Sequence, residues 1–276
     1  MTSLPLSKAL LRIILSVLLI SGPCALALSL YQHFRQKQRL DPSFTIVAVV
    51  QTSPESEGLK TVYFTELLGL SIDHPKNLYD FSIAEAEQKL LHSPLIKEAK
   101  VRKIRPGTIH VDYQLRKPIA FLADYTNTAL DEEGFIFPFK PFFTPKKLPE
   151  IYLGGLHEKG ALWGVQLADD NLQLAFELIR LADRHCCDAC SSLLKIDLSR
   201  LHAASAGRSQ IVMVFEERSS PSKIFTHTLR LTSKNILQEL ANYCTLRDYF
   251  RKNPKSQKNS LIDLRLANLA FIGPDE

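Results

Sequence analysis

The chain has 276 residues, of which 45% are hydrophobic and 23% charged, as expected for a globular protein that also carries an apolar anchor. Its formal net charge of +5 is spread along the sequence, so the composition indicates no nucleic-acid partner. The part that follows the apolar start is long enough for one large domain or two small ones.

The amino-terminal region contains a stretch without charged side chains, Ile13 to Gln32, that predicts a membrane anchor. About 20 apolar residues in a helix span the ~30 Å hydrocarbon core of a bilayer. Residues 1–12 are then a short cytoplasmic head, residues 33–43 are a basic juxtamembrane linker, and the remainder is exported, as in a single-pass type II protein. The anchoring residues expected are Ile13, Leu19, Leu28 and Leu30.

A cleaved signal peptide is the alternative interpretation of the same region. Ala25-Leu26-Ala27 forms an A-x-A cleavage signal after a basic and then apolar start. Gly22 and Pro23 interrupt the stretch, although transmembrane helices tolerate both better than soluble helices do. Because basic residues flank both ends, charge does not decide the orientation. Cleavage at Ala27 therefore stays open beside an intact anchor.

After the linker, the pattern predicts a small domain with the element order β-α-α-β-β. A strand is expected at 44–50, where β-branched residues are frequent, and a helix at 62–70. A second helix begins after Ser82, which forms a capping box with Glu85. It carries one apolar stripe at helical spacing, made of Ile83, Ala86, Leu90 and Leu91.

Two strands complete this domain, at 97–105 and 108–116. The tripeptide Arg105-Pro106-Gly107 between them suits a type II turn, with proline and glycine at its central positions. Alternation in the second strand predicts four residues that face the core, namely Ile109, Val111, Tyr113 and Leu115.

The second half of the chain predicts two more helices and several strands. Apolar residues at helical spacing indicate a helix over 171–182. Ser233 is the expected N-cap of a last helix that reaches Tyr249. The strands expected are 193–199, 210–216, 224–231, 261–265 and 270–272.

Four cysteines lie outside the anchor, and they permit disulfides if this part is in an oxidising compartment. A metal site would need ligands that converge from separate elements, and a catalytic thiol would need a positioned base. No metal site is expected for these reasons. The cysteines are expected either to form a disulfide, local or linked to the last of them, or to stay as free thiols: Cys186, Cys187, Cys190 and Cys244.

The run Asp131-Glu132-Glu133 stands directly before Gly134 and predicts a solvated turn, because acid–base pairs usually face each other across a cleft. The sequence contains no nucleophile elbow, phosphate loop, zinc-protease motif or dinucleotide fingerprint. We therefore expect a protein that is not an enzyme, with no catalytic residues, no cofactor and no small-molecule substrate.

Several stretches resemble the FtsQ/DivIB family of bacterial division proteins. The run NLYDFSIAEAEQKLLHSPLIKEAKVRKIRPGTIHVDYQLRKPIAFL, residues 77–122, is similar to the POTRA domain of that family. The segment TALDEEGFIF, residues 128–137, resembles the strand-turn-strand that opens the family's second domain. Ile196–Ser199 and Ile262–Arg265 are similar to its I-D-L-S and I-D-L-R strands.

This resemblance implies an α+β fold with one amino-terminal transmembrane helix. It further implies a POTRA domain over 44–117 and a mostly antiparallel β domain with flanking helices over 118–276. The implied function is that of a bitopic inner-membrane scaffold of the divisome, with both domains in the periplasm and the protein enriched at the division site.

The partners that the resemblance implies are FtsB–FtsL-like proteins, together with division proteins similar to FtsK and to septal synthases. Binding them would couple septal peptidoglycan synthesis to division. A different class of protein remains as the alternative, a periplasmic POTRA-type chaperone that assists protein export or outer-membrane assembly. That alternative needs cleavage at Ala27 and a separate barrel partner.

The last strands are the candidate binding site. A strand at a sheet edge leaves N–H and C=O groups that a partner strand can pair with. Arg265 beside it can bind a partner carboxylate, or can instead pair with Asp263 inside the sheet. The resemblance assigns partner binding to Asp263, Arg265, Leu266 and Ala267.

Overall fold

The predicted α+β class is confirmed in the computed structural model, which describes residues 6–54, 57–156, 163–205, 207–220, 223–253, 256–267 and 269–275. The helices are α1 (Leu6–Leu40), α2 (Thr61–Leu68), α3 (Ile83–Leu91), α4 (Asp170–His185) and α5 (Ile236–Lys252). The strands are β1 (Ala48–Thr52), β2 (Ile96–Ile104), β3 (Thr108–Leu115), β4 (Ala120–Leu122), β5 (Thr128–Leu130), β6 (Ile136–Pro138), β7 (Glu150–Tyr152), β8 (Ser191–Asp197), β9 (Ile211–Ser220), β10 (Lys223–Leu231), β11 (Ser260–Asp263) and β12 (Phe271–Pro274).

The described residues divide into two compact units. The first runs to Leu91 and includes Glu98–Gln114, and the second holds His92–Lys97 and continues from Leu115.

The apolar helix α1 is longer than the predicted anchor at both ends, and Pro23 lies inside it. Within the described part of the chain, it is the helix that is long and apolar enough to cross a membrane, and an 18-residue stretch of it has a mean hydropathy of 1.6. The segment expected as a linker stays helical up to Leu40, because it is rich in Arg, Gln and Lys, which form helices readily. Lys37 and Arg39 in the last turn also complement the helix dipole.

The first unit contains a three-stranded sheet with the order β1-β3-β2, in which β1 runs parallel to β3. Strand β1 begins at Ala48, later than predicted, because Asp41 caps a short 3-10 turn at Pro42–Phe44. The alternation predicted for β3 is confirmed, since its four apolar residues are buried. Other core residues of this unit are Leu59, Phe64, Leu68, Leu78, Phe81, Ala86, Leu90 and Val101.

The predicted helix α3 is confirmed, but its buried stripe is narrower than expected. The Ser82 hydroxyl accepts a hydrogen bond from the backbone N–H of Glu85 at 3.3 Å, as the capping box predicts. Ile83 and Leu91 are exposed at the two ends of the helix, and of the stripe only Ala86 and Leu90 are buried.

The type II turn predicted before β3 is wrong. The Arg105–Pro106 peptide bond is cis, and Gly107 lies outside the left-handed region that a type II turn requires. Glycine is needed here because of a close backbone approach. A Cβ on Gly107 would lie 2.0 Å from the carbonyl oxygen of Thr45, and the Gly107 carbonyl accepts from the Val47 N–H at 2.8 Å.

The second unit is built on a nine-stranded sheet with the order β12-β11-β10-β9-β8-β7-β4-β5-β6. Most neighbouring pairs are antiparallel, whereas β10·β11, β4·β7 and β7·β8 are parallel. Helices α4 and α5 contribute to the same hydrophobic cluster as the sheet, including Leu172, Phe176, Leu240 and Tyr243. The helix predicted over 171–182 and the three strands after it are confirmed.

The start of α5 differs from the prediction, because Asn235 and not Ser233 precedes the first helical residue. Glu239, which lies within α5, holds the turn that precedes the helix. Its carboxylate accepts from the Thr232 N–H at 2.7 Å and from the Thr232 hydroxyl at 2.6 Å. Thr232, the residue before Ser233, thus anchors the chain to the first turns of the helix.

The acidic turn between β5 and β6 forms, but Asp131 is buried in it rather than solvated. One of its oxygens accepts from the backbone N–H groups of Glu133 and Phe135. The other lies 2.7 Å from Nη1 of Arg116, whose guanidinium also stacks over the Phe135 ring at 3.7 Å. Asp131 is therefore a structural residue of this turn.

Candidate partner-binding site

The carboxyl-terminal strand β12 forms one edge of the nine-stranded sheet. It pairs antiparallel with β11, with Ile262 opposite Ile272 and Asp263 opposite Phe271. Among the described residues, no strand pairs with its other side, so that side presents backbone N–H and C=O groups without a ladder partner. The predicted strand at 261–265 is the inner neighbour, since β11 lies between β10 and β12.

The opposite edge of the sheet is not open in the same way. Residues beside β6 make a bridge between Phe135 and Gln166. The Ile136 N–H donates to Val165 O at 3.2 Å, and the Gly164 N–H donates to Ile136 O at 2.8 Å. Because residues 164–166 cover the edge at β6, strand addition is favoured at β12.

Large apolar side chains surround the open edge. Phe271 is 68% exposed and Ile272 46%, both on the edge strand itself. Leu266 and Leu269, in the turn that leads into β12, are 64% and 66% exposed. Phe271 and Ile272, as successive strand residues, point to opposite faces of the sheet. Exposed apolar residues on and beside an edge strand are typical of a surface that a partner covers. We call these residues, Leu266, Leu269, Phe271 and Ile272, the terminal apolar patch.

A groove of about 400 Å³ adjoins this patch. One wall is a flank of α5 and the other is the segment that connects β11 to β12. Tyr249 on the helix wall is largely exposed, with its ring beside the groove. The lining residues are Asn242, Thr245, Leu246, Tyr249, Leu264, Leu269 and Ala270.

Asp263, the last residue of β11, pairs with Arg265 on the segment that follows the strand. Arg265 Nη2 lies 2.7 Å from Asp263 Oδ2, and Arg265 Nε lies 2.9 Å from Asp263 Oδ1. Burial acts to raise the pKa of the Asp263 carboxyl, but the hydrogen bonds from Arg265 outweigh it and hold that pKa below its usual value. Arg265 Nη1 also donates to Gly207 O at 2.8 Å. The pair thus fixes the chain just before the patch.

The four residues predicted to bind a partner therefore fall into two groups. Asp263 and Arg265 are engaged in this ion pair, whereas Leu266 and Ala267 are exposed beside the edge strand. Sequence reasoning missed Phe271, Ile272 and Tyr249. The apolar start of the last predicted strand was a signal for the first two.

The other predicted residues lie elsewhere. Leu19, Leu28 and Leu30 are exposed along α1, while the side chain of Ile13 and residues 1–5 lie outside the described part. The sulfur atoms of Cys186 and Cys244 lie 3.0 Å apart, Cys187 is partly buried and Cys190 is exposed. Within the described residues, no three His, Cys, Asp or Glu side chains converge as metal ligands would.

Two comparisons with known proteins bear on this chain. Residues 65–113 match the family model of the POTRA domain, FtsQ-type. Over 265 residues the chain is 26% identical to the cell division protein FtsQ of Koribacter versatilis (strain Ellin345), an alignment that covers 95% of this chain and 69% of that protein. The chain therefore contains a POTRA domain of the FtsQ type, and its resemblance to the FtsQ/DivIB family is confirmed over nearly its whole length.

Proposed function

We propose that this chain is a membrane-anchored, non-enzymatic scaffold of the bacterial division machinery. The similarity to a cell division protein over 95% of the chain supports this, because it includes the anchor, the POTRA domain and the large sheet together. In this role the protein binds other division proteins and thereby couples septal peptidoglycan synthesis to division.

The observation that carries the proposal is the open edge at β12. A partner segment in extended conformation adds there as a further strand, so that its backbone pairs with the free groups of Phe271–Pro274. The terminal apolar patch then becomes buried, and an apolar side chain of the partner enters the groove beside Tyr249. FtsB/FtsL-like proteins are the proposed partners at this site. The POTRA domain is proposed to bind further division proteins, similar to FtsK and to septal synthases.

The proposed topology has the amino terminus in the cytoplasm and both compact units in the periplasm. The length and apolar character of α1 support a span of the inner membrane, and its exposed leucines suit contact with lipid. Arg265 is proposed to act by positioning, since its pairing with Asp263 holds Leu266 and Ala267 at the rim of the patch.

The location of the protein in dividing cells tests this function. A fluorescent protein fused to the amino terminus of the full chain is expected to collect, uncleaved, at the division plane. A matched fusion in which residues 13–32 are replaced by the span of an unrelated single-pass protein separates anchoring from targeting. We expect it to reach the same place, because the periplasmic units carry the contacts. An even distribution of the intact fusion contradicts the proposal, and a tag clipped near Ala27 with a free periplasmic product supports the chaperone alternative.

A further inference from the structure

Two cysteines that are far apart in the sequence meet between the last two helices. Cys186 directly follows α4 and is fully buried, while Cys244 lies in the middle of α5 and is partly exposed. Their sulfur atoms lie 3.0 Å apart, within about 1 Å of the length of a disulfide bond. The thiols therefore need only a small movement to join.

The backbone around this pair is held in place by α5. The Cys244 thiol donates to the His185 carbonyl oxygen at 3.3 Å. The buried guanidinium of Arg247, one turn further along α5, donates to the carbonyl oxygen of Cys186. These two hydrogen bonds already hold α5 against residues 185–186. The folded chain therefore loses little conformational entropy when the disulfide forms.

The surroundings also favour one sulfur as the attacking group. The hydrogen bond from the Cys186 thiol lowers the pKa of the Cys244 thiol, and the positive charge of Arg247 lowers it further, against the effect of burial. Hydrogen bonding to Cys244 and burial instead raise the pKa of Cys186. Cys244 is the more exposed of the two and meets an oxidant first.

The other two cysteines are placed differently. Burial raises the pKa of the half-buried Cys187 thiol to about 11, which disfavours its thiolate. Cys190 is exposed in the turn before β8, where its N–H donates to Asp188. Of the connectivities that the sequence allows, the structure favours the pair between the two helices.

We propose that Cys186 and Cys244 form a disulfide that joins the end of α4 to α5 in the exported protein. The proposal rests on the proposed export of this unit, because a disulfide persists in an oxidising compartment. The oxidant is a disulfide RSSR, either a small molecule or an oxidoreductase. The Cys244 thiolate attacks one of its sulfurs and releases RS⁻. The Cys186 thiolate then attacks the Cys244 sulfur in the mixed disulfide and releases the second RS⁻. Two protein thiols are oxidised, one RSSR is reduced to two RSH, and the two protons pass to the leaving thiolates.

The bond acts on the helix that forms one wall of the partner groove. Cys244 lies on one flank of α5, and Asn242, Thr245 and Tyr249 on the other flank line the groove. Closing a loop of 58 residues between the two cysteines is expected to raise the melting temperature of the second unit by about 10 °C.

The test uses the purified full chain in detergent, equilibrated with reduced and oxidised glutathione, after which free thiols are trapped by acid and alkylation. Trypsin places Cys244 on peptide 235–247 and the other three cysteines on peptide 185–195. We expect these peptides to be linked in the wild type and in Cys187→Ser and Cys190→Ser, and unlinked in Cys186→Ala. A link that survives Cys186→Ala, or no link under oxidised glutathione, overturns the proposal.

A second measurement covers the case in which Cys186→Ala folds poorly. The melting temperature of the wild type is expected to fall by about 10 °C when reductant is added. Cys244→Ser should lose this dependence on reductant, whereas Cys190→Ser should keep it. A role in packing alone would lower the melting temperature of Cys244→Ser without any dependence on reductant in the wild type, and that result contradicts the disulfide.

Trapping the thiols of intact cells before lysis separates this proposal from the proposed topology. Linked peptides from cells support both. If the purified chain forms the bond but the cellular chain is fully reduced, the pairing of the two cysteines stands, and the exported disulfide is overturned together with the periplasmic location.

Discussion

Ile272 lies directly opposite Ile262 in the last antiparallel strand pair, and the two have opposite environments. Ile262 is fully buried in the core of the second unit, whereas Ile272 is 46% exposed. The two residues differ in exposure because β11 has a neighbouring strand on each side, whereas β12 has only one neighbour among the described strands. The sheet therefore ends in a strand that is anchored on one side and presents both apolar side chains and backbone groups on the other.

The ion pair before the patch leads to a first prediction. Arg265→Gln and Asp263→Asn are both expected to weaken binding of an FtsB/FtsL-like partner by about three- to tenfold, because each breaks the ion pair that positions the segment with Leu266. The asparagine retains an oxygen for the Arg265 N–H, so the fold is kept. Titration of the partner onto each variant measures the effect. If Asp263→Asn binds as well as the wild type while Arg265→Gln does not, Arg265 contacts the partner directly and the positioning role is wrong.

The close approach at Gly107 predicts a stability effect in the first unit. Gly107→Ala places a methyl group 2.0 Å from the Thr45 carbonyl oxygen, so the backbone must shift. We expect a loss of about 2–4 kcal/mol in the free energy of unfolding. Gly58→Ala in the same unit is the control, because its Cβ would lie 3.4 Å from the Tyr113 hydroxyl, an ordinary contact. Equal urea midpoints for the two variants would contradict this account.

The buried ion pair Arg116–Asp131 predicts an effect on the stability of the second unit. Arg116→Met leaves the Asp131 carboxylate buried without its cation, which is expected to cost about 3–5 kcal/mol. Adding Asp131→Asn removes that charge and should recover part of the loss. Lys97→Met, which breaks a more exposed pair with Glu133, should cost less than about 1 kcal/mol. Chemical denaturation of the three variants checks the order, and a cost for Arg116→Met as small as that for Lys97→Met would refute it.

The sequence predicts those parts of the fold that local periodicity encodes. The alternation in β3 and the stripe in α4 place their apolar residues in the core, since burial on one face repeats with the period of the element. The positions of β8, β9 and β10 follow from the same signal, whereas β7 does not. The longer α1 does not, because its polar end is rich in the helix formers Arg, Gln and Lys but carries no apolar stripe.

Long-range pairing accounts for most of what the sequence does not predict. The position of β11 between β10 and β12 depends on a parallel pairing across α5, which no local pattern encodes. The burial of Asp131 and the meeting of Cys186 with Cys244 likewise depend on residues that are distant in the chain. For the candidate site, the region was predictable from the resemblance, whereas the edge strand and its exposed apolar residues required the structure.

His227 predicts a dependence of stability on pH. Burial lowers the pKa of this imidazole to about 4 from its ordinary 6.5, and the charges of Arg247 and Arg251 act in the same direction. It also faces Tyr243 and, through that hydroxyl, Glu217. The unfolded chain therefore binds a proton at His227 more readily than the folded chain does. The stability that neutral His227 contributes is fully present above about pH 6.5. As the pH falls towards 4, the free energy of unfolding decreases by about 3 kcal/mol.

The measurement for this prediction is the free energy of unfolding from pH 7 to pH 4. His227→Phe, which fills the site without titrating, should flatten the slope between pH 6.5 and 4. A matched change at the exposed His74, His74→Asn, should leave the slope as it is in the wild type. If His227→Phe keeps the full slope, another group is responsible.

The most direct test of the open edge is the affinity of Phe271→Lys for the periplasmic part of an FtsB/FtsL-like protein from the same bacterium. A lysine on the edge strand opposes strand addition, and at this exposed position it should leave the melting temperature unchanged. Leu237→Lys is the control, because that exposed leucine of α5 does not line the groove. We predict that Phe271→Lys binds at least about tenfold more weakly, which corresponds to about 1.4 kcal/mol, and that Leu237→Lys binds like the wild type. Unchanged affinity of Phe271→Lys would contradict partner binding at β12.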